Sequence, residues 1–192
     1  MNMQVRKADG FTLIEVLVAL LVLAAGALGA GAMVLAAHRA SQQSALSSAA
    51  AQLAARVGES MRANPGASGA ADHVNPYLQL DYDALAEGAP ADAGDCSAAV
   101  CDSAALAAAD LSALRRTLYD AYPLGRIRIC RDGQWWDQSA LAMRWECDGA
   151  GVAPVVVKIG WRQRLAAGGE AAGQAPVMVA LPVVLRVAAG AP

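Results

Sequence analysis

Residues 11–37 read FTLIEVLVALLVLAAGALGAGAMVLAA, an apolar run in which Glu15 carries the only charge. As a helix this run is roughly 40 Å long, whereas the hydrocarbon core of a bilayer is about 30 Å thick. The run therefore predicts a helix that spans a membrane. The ten residues before it are polar and include Arg6 and Lys7. By the positive-inside rule, they predict a cytoplasmic N-terminus, an inner-membrane anchor and a periplasmic C-terminal part.

Glu15 distinguishes this run from two ordinary kinds of apolar N-terminal segment. A cleaved secretory signal has an apolar core of about 7 to 15 residues, and the run here is about twice as long. A plain single-span anchor has no use for a carboxylate, because an unpaired ionisable group in hydrocarbon costs several kcal/mol. We therefore expect Glu15 to pair with a cation.

The residues GFTLIEVLVALLVL, which start at Gly10 directly after the basic leader, resemble the N-terminal signature of type IV prepilins. The resemblance implies a leader of residues 1–10, cleavage by prepilin peptidase between Gly10 and Phe11, and N-methylation of Phe11. The new α-amine, with an ordinary pKa of about 8, is a cation that methylation leaves charged. In an apolar filament core this cation needs a partner, and Glu15 of a neighbouring subunit is the predicted one.

The run departs from the pattern of many major pilins at Ala32, where the resemblance places a proline that loosens the helix on assembly. Gly26, Gly29 and Gly31 lie near this position. A glycine weakens a helix interior by about 1 kcal/mol relative to alanine, so these residues would soften the same region. Small residues four apart, such as Ala27 and Gly31, also let helices pack closely. The sequence leaves both alternatives open.

Beyond residue 37 the apolar side chains recur on one helical face, at Leu46, Ala50, Leu53, Val57 and Met61. Strong helix breakers follow at residues 64–66, which read NPG. The pattern predicts one helix from about residue 11 to residue 62. Its first part, residues 11–37, lies in the membrane or filament core, and residues 38–64 carry an amphipathic part into a globular head of residues 65–192.

The head has the pattern of a small α+β domain. Residues 65–102, rich in Gly, Ala, Pro and Asp, predict a surface loop region, and residues 103–122 predict a second, short helix. Alternation near residues 126–129, 141–146 and 155–162 predicts three antiparallel strands. A fourth, residues 177–187, contains Pro182, which indicates an edge, a bulge or two short pieces. The whole is the α+β pilin fold: a long N-terminal helix packed on an antiparallel sheet of about four strands.

Four cysteines, Cys96, Cys101, Cys130 and Cys147, form an even set in the predicted periplasmic part. This location favours two disulfides, and the spacing lacks the repeated short pairs of a zinc site. Of the three connectivities, proximity favours Cys96 with Cys101 and Cys130 with Cys147. Alternation places Cys130 and Cys147 on opposite strand faces, so this pairing requires a bulge or a Cys147 that lies beyond the strand end.

The formal net charge of -2 excludes a basic footprint over the whole chain. A local basic surface on adjacent strands, able to capture DNA, would consist of Arg126, Arg128, Lys158 and Arg162. A solvated sheet face or a subunit contact is the favoured interpretation of the same residues, so we expect no nucleic-acid partner.

The sequence offers no catalytic constellation. His38 lies at the membrane boundary and His73 lies in a loop, and neither has a recognisable nucleophile or metal partner. We therefore expect no enzymatic activity, no cofactor and no metal site. Asp81, Asp83 and Glu87 lack the EF-hand pattern, and a solvated acidic loop is favoured there.

The order of long helix, loop, second helix and sheet, with Cys96 and Cys101 before Asp110 and Leu111, resembles the PilV minor pilins, or pilus modification proteins. This resemblance implies a low-copy subunit that joins the major pilin and other minor pilins in the pilus and primes assembly at its tip. A large tip adhesin is a further implied partner, with adhesion and twitching motility as the processes served. A type II secretion pseudopilin, which shares the same N-terminus, is the alternative, and a DNA-binding pilin is a third hypothesis.

The cleavage site is directly testable. We expect N-terminal sequencing of the mature protein to start at Phe11, with a methylated amine, because the Gly10–Phe11 bond is where the signature places the cut. A mature chain that starts at any other residue would contradict this prediction.

Overall fold

The computed structural model describes Gly10 and residues 12–91, Cys96, and residues 100–149, 152–162 and 175–185. The chain divides into two compact units, with the boundary between Ala45 and Leu46. The predicted leader residues 1–9, Phe11, and the last two residues of the predicted fourth strand lie outside the described residues.

The first element is a single helix of 51 residues, α1 (Leu13–Ala63). It ends where the sequence predicts, because Pro65 cannot continue a regular helix from Asn64. In the second unit, the buried face of this helix comprises Ala50, Leu53, Ala54, Val57, Gly58 and Met61. These residues recur at helical spacing, which confirms the amphipathic pattern beyond residue 45.

The other helices lie in the head. They are α2 (Pro65–Ser68), α3 (Ala84–Glu87) and α4 (Ser103–Ala121), and a 3-10 turn spans Tyr77–Gln79. The side chain of Asp102 accepts a hydrogen bond from the backbone N–H of Ala105 and caps α4. α4 turns Leu111, Leu114 and Leu118 into the core. The helix predicted over residues 103–122 thus ends one residue earlier in the structure.

The main sheet has four antiparallel strands in the order β1 (Asp81–Asp83), β2 (Arg126–Arg131), β5 (Val155–Gly160) and β6 (Val177–Val183). Ile127 lies opposite Ile159, and Ile129 lies opposite Val157. Because paired residues share a face, these side chains form the layer that packs into the hydrophobic core. The predicted α+β class and four-stranded sheet are confirmed. Pro182 lies in β6, the edge strand, as its missing N–H predicts.

One predicted strand belongs elsewhere. Residues 141–146 contribute only β4 (Ala142–Met143), which pairs with β3 (Trp136–Asp137) in a separate two-stranded sheet. The fourth strand of the main sheet is β1, from a region whose composition predicts a surface loop. Tyr82 in β1 is buried opposite Ile127, while Asp81 and Asp83 point to the other face. The prediction missed β1 because three residues are too few for alternation to stand out.

The four cysteines form two pairs at disulfide distance, Cys96 with Cys101 and Cys130 with Cys147. Their Cα atoms are 5.7 and 6.3 Å apart, within the usual range for disulfides. Cys147 lies beyond the end of β4, so the conflict between strand faces does not arise. The second pair closes a segment that follows β2, and we call residues 132–146 of this segment the flap.

Tyr77 joins three elements of the head. Its side chain is buried, its hydroxyl donates to Asp110 Oδ2 at 3.1 Å, and it accepts from Asn64 Nδ2 at 3.4 Å. Asn64 Nδ2 also lies 2.8 Å from the carbonyl oxygen of Ser103. Burial, reinforced by the negative charge of Asp110, raises the pKa of Tyr77 to about 12. This network ties the end of α1 to the 3-10 turn and to α4.

The raised pKa predicts alkaline destabilisation of the head. Between about pH 10 and pH 12 the unfolded tyrosine loses its proton first, so the free energy of unfolding should fall as the pH rises. Denaturant unfolding followed by tryptophan fluorescence at about pH 9 and about pH 11.5 measures the decrease. Tyr77→Phe should make the decrease smaller.

Tyr119→Phe is the matched control, because Tyr119 is 43% exposed on α4. It should keep the decrease seen in the unaltered chain. An equal decrease in Tyr77→Phe and the unaltered chain would contradict the assignment to Tyr77.

Candidate assembly site

The N-terminal end of α1 presents one carboxylate on an apolar helix. Glu15 lies in the first turn, and its side chain is exposed. Thr12 precedes the helix, and its Oγ1 accepts a hydrogen bond from the backbone N–H of Glu15 at 3.4 Å. The N–H of Glu15 also reaches the carbonyl oxygen of Thr12 at 3.1 Å. Thr12 therefore satisfies a donor that the helix start leaves without an intrahelical partner.

The helix has a capping-box sequence at this end, with Thr12 at the cap and Glu15 three residues later. Sequence reasoning singled out Glu15 and missed Thr12. The signal that identifies Thr12 is this spacing, which is a local pattern of the sequence alone. A carboxylate near the helix N-terminus is also favoured by the helix dipole, because the first N–H groups carry partial positive charge. The start of α1 is therefore a favourable place for the charge of Glu15.

The predicted cleavage residues lie directly before this cap. Gly10 is exposed and outside the helix, while Phe11 lies outside the described residues. Since α1 begins at Leu13, Gly10 takes no part in its hydrogen-bond ladder.

The side chains that follow Glu15 form an apolar surface without a cover. Every residue from Leu13 to Ala37 is exposed, including large side chains such as Leu21, Leu28 and Met33. By length and composition, α1 contains a stretch able to cross a membrane. Soluble proteins rarely expose so large a contiguous apolar surface, so this surface requires lipid or another protein.

The four residues considered as a possible basic surface do not form an exposed patch in the structure. Arg126, Lys158 and Arg162 are buried, and the side chain of Arg128 is 33% exposed. Arg126 and Arg128 both pair with the carboxylate of Asp81 on the neighbouring strand, at 3.0 and 3.5 Å. The guanidinium carbon of Arg126 also lies over the ring of Trp145 in the flap, 4.5 Å from the ring centroid.

The favoured interpretation was a solvated sheet face or a subunit contact. Solvation does not hold for the buried residues, because the flap covers part of this face. The acidic loop expected at residues 81–87 is also engaged, since Asp81 pairs with these arginines and Asp83 Oδ1 accepts from the N–H of Leu85 at the start of α3.

Lys158 has the most enclosed charge of the four basic residues. Both its side chain and that of Asp132, its ion-pair partner, are 0% exposed. Lys158 Nζ also donates to the carbonyl oxygen of Glu146 at 2.6 Å and contacts that of Trp145 at 3.4 Å. The ammonium therefore has one charged partner, the Asp132 carboxylate, and two backbone carbonyl acceptors. The group is a buried ion pair rather than a binding surface.

Sequence reasoning missed Asp132 and Trp145 as partners of this site. Asp132 precedes Gly133, a pair typical of a turn, and Trp145 sits in a predicted strand. Both roles depend on contacts across the sheet, which no local pattern reports.

Comparison with family models supplies one match. Residues 5–31 match the prokaryotic N-terminal methylation motif. The match includes the predicted cleavage site and Glu15 and ends before the head. Comparisons with curated proteins and with solved structures find no match.

The motif supports a pilin-like or pseudopilin-like protein that is processed by prepilin peptidase and assembled into a pilus or pseudopilus. Proteins defined by this motif are structural rather than enzymatic. Together with the apolar part of α1, the motif fits an inner-membrane anchor and a place in a filament.

The buried ion pair makes a quantitative prediction. Lys158→Met should leave the Asp132 carboxylate buried without its cation and lower the free energy of unfolding by about 3 to 5 kcal/mol. Asp132→Leu should cost a similar amount. The double variant should recover much of the loss, because two apolar side chains leave no charge unpaired. Denaturant unfolding of the unaltered chain, the two single variants and the double variant gives the coupling free energy between the two positions.

The exposed pair of Arg62 with Glu59 on α1 provides the comparison, since Glu59→Leu should change stability little. Strictly additive losses at Lys158 and Asp132 would contradict the predicted coupling.

Proposed function

We propose that this protein is a minor pilin, cleaved by prepilin peptidase and incorporated into type IV pili through α1. The observation that carries the proposal is the combination of the methylation motif over residues 5–31 with an exposed apolar stretch of helix whose single charge is Glu15. A freely soluble domain has no use for such a stretch. A filament core supplies apolar neighbours along its length.

The balance of charge explains why Glu15 belongs to assembly. Cleavage after Gly10 creates an α-ammonium at Phe11, and burial of an unpaired charge in an apolar core is costly. A carboxylate four residues along, on a neighbouring subunit, neutralises this cation and is neutralised by it. One contact thereby satisfies two charges at each step of growth. Because the apolar contacts set no unique register, this pair also favours one axial position for each subunit.

The proposed orientation places the head in the periplasm before assembly and on the pilus surface afterwards. Support comes from the basic residues of the leader, which favour a cytoplasmic N-terminus, and from the two cysteine pairs at disulfide distance. Disulfides persist in oxidising compartments, so both features favour the same side of the membrane.

The narrower task that we propose is that of a PilV-like subunit, which primes assembly in a tip complex with other minor pilins and a large adhesin. It is supported by the order of elements in the head and by Cys96 and Cys101 before α4. Major pilin and other minor pilins would then meet this chain through α1.

A pseudopilin of type II secretion remains the second candidate, because the matched motif ends at residue 31 and is shared by both kinds of filament. Neighbouring genes distinguish the two: genes for minor pilins and a tip adhesin favour the pilus, and genes for a secretion pore favour the pseudopilus.

We do not propose DNA capture, since three of the four basic residues considered for it are buried.

Substitution of Glu15 tests the proposal. Glu15→Ala should leave cleavage after Gly10 largely intact but impair incorporation into filaments, because the neighbour's α-ammonium loses its partner. The measurement compares the amount of this subunit in sheared filaments with the cleaved chain left in the membrane, both by immunoblot.

Two further variants separate charge from size. Glu15→Gln keeps the shape without the charge and should behave like Glu15→Ala, whereas Glu15→Asp keeps the charge and should retain more incorporation. Normal incorporation of cleaved Glu15→Ala would contradict the pairing role.

A further inference from the structure

The flap holds every partner that the described part of the structure gives to the Lys158 ammonium. Asp132 supplies the carboxylate near one end of the flap, and Trp145 and Glu146 supply backbone carbonyl oxygens near the other. Both ends must therefore stay in place together for the charge to be satisfied. Lys158 itself belongs to β5, so the ion pair joins the flap to the main sheet.

The flap has little regular structure of its own. Its two strands, β3 and β4, have two residues each. Trp145 Nε1 donates to the carbonyl oxygen of Ala175 at 2.6 Å, and Arg144 pairs with Asp148 just outside the flap. The disulfide between Cys130 and Cys147 closes it covalently at the base. Since short two-stranded pairs are weak alone, this closure has a large part in holding both ends near Lys158.

The flap packs closely against the sheet, and the contacts show which residues an open flap would expose. A Cβ added at Gly160 would lie 2.9 Å from Trp145 Cζ2, so the indole lies directly against the backbone of β5. Val156 and Lys158 on the same face are both 0% exposed. The main core, including Ile127, Ile159 and Met61, lies on the opposite face. Removal of the flap would therefore expose Lys158 and leave the core covered.

The sequence makes Lys158 chemically distinctive. The chain has two lysines, Lys7 and Lys158, and Lys7 falls in the predicted leader. After cleavage at Gly10, Lys158 carries the only ε-amine of the mature chain. Its reactivity toward an amine reagent reports directly on the state of the flap.

We propose that the Cys130–Cys147 disulfide is a redox latch that keeps the flap closed over Lys158. Two electrons and two protons from a dithiol reductant convert the disulfide to two thiols, the flap opens locally, and the Lys158 amine becomes accessible. The flap then covers the sheet face that carries Lys158 only after these cysteines are oxidised. Disulfides form in oxidising compartments, so closure would follow export of the head. This inference is independent of which filament the chain joins.

The test measures acylation of Lys158 in the full chain in detergent micelles. The chain, oxidised or reduced with dithiothreitol, is treated with the N-hydroxysuccinimide ester of acetic acid, and peptide mass mapping locates the acetyl groups. In the oxidised chain we expect Lys158 to stay unmodified until the chain is denatured. Reduction should raise its acetylation rate by at least about tenfold, because local opening then competes with closure.

Two paired variants separate this latch from the other disulfide. Cys130→Ser with Cys147→Ser should expose Lys158 without reductant, whereas Cys96→Ser with Cys101→Ser should leave it protected in the absence of reductant. Alkylation of the thiols verifies which disulfide has been lost, and far-UV circular dichroism monitors the fold.

Three results would overturn the proposal. One is continued protection of Lys158 after Cys130 and Cys147 are shown to be reduced. Another is loss of the circular dichroism signal on reduction, since the opening would then be global. The third is an oxidised chain lighter by one water through an amide between Lys158 and Asp132, because the amine would then be consumed.

Discussion

The helix α1 has to be stable in two different surroundings, an apolar one and the core of the head, and the rest of the structure depends on this requirement. Up to Ala37, α1 has exposed apolar side chains and a single charge at Glu15, so it needs lipid or neighbouring helices. From Leu46 onward, the same helix buries one face in the head. No break separates the two parts, because the first strong breakers in the sequence lie at residues 64–66.

The sheet of the head is covered on one face by the helices and on part of the other face by the flap. Leu53, Val57 and Met61 of α1 contribute to the hydrophobic core with α4 and the inner sheet face. On the outer face the flap covers Lys158, whose charge is satisfied by Asp132 and two carbonyl oxygens. An ion pair so fully removed from water adds little net stability, but either partner alone would be costly. The pair therefore favours the closed position of the flap on the sheet.

The charged residues show where sequence reasoning fails and why. Alternation correctly placed Arg126 and Arg128 on the face opposite Ile127 and Ile129. It predicted solvent on that face, because alternation reports which residues share a side and says nothing about what lies above them. Asp81 lies 45 residues before Arg126, and the flap follows β2 and folds back over the sheet, so their contacts with these arginines depend on topology.

The sequence by itself determined the features that rest on local chemistry: the apolar run with Glu15, the end of α1, the second helix, and the α+β class. Each depends on periodicity, composition or a breaker within a few residues. It also favoured the cysteine pairs, since proximity along the chain makes closure cheap. Only the tertiary structure decided that β1 completes the sheet and that Lys158 is buried. The reason is physical: burial and charge pairing are set by segments that meet in space, and Asp132, Trp145 and Lys158 meet only after the strands between them have paired.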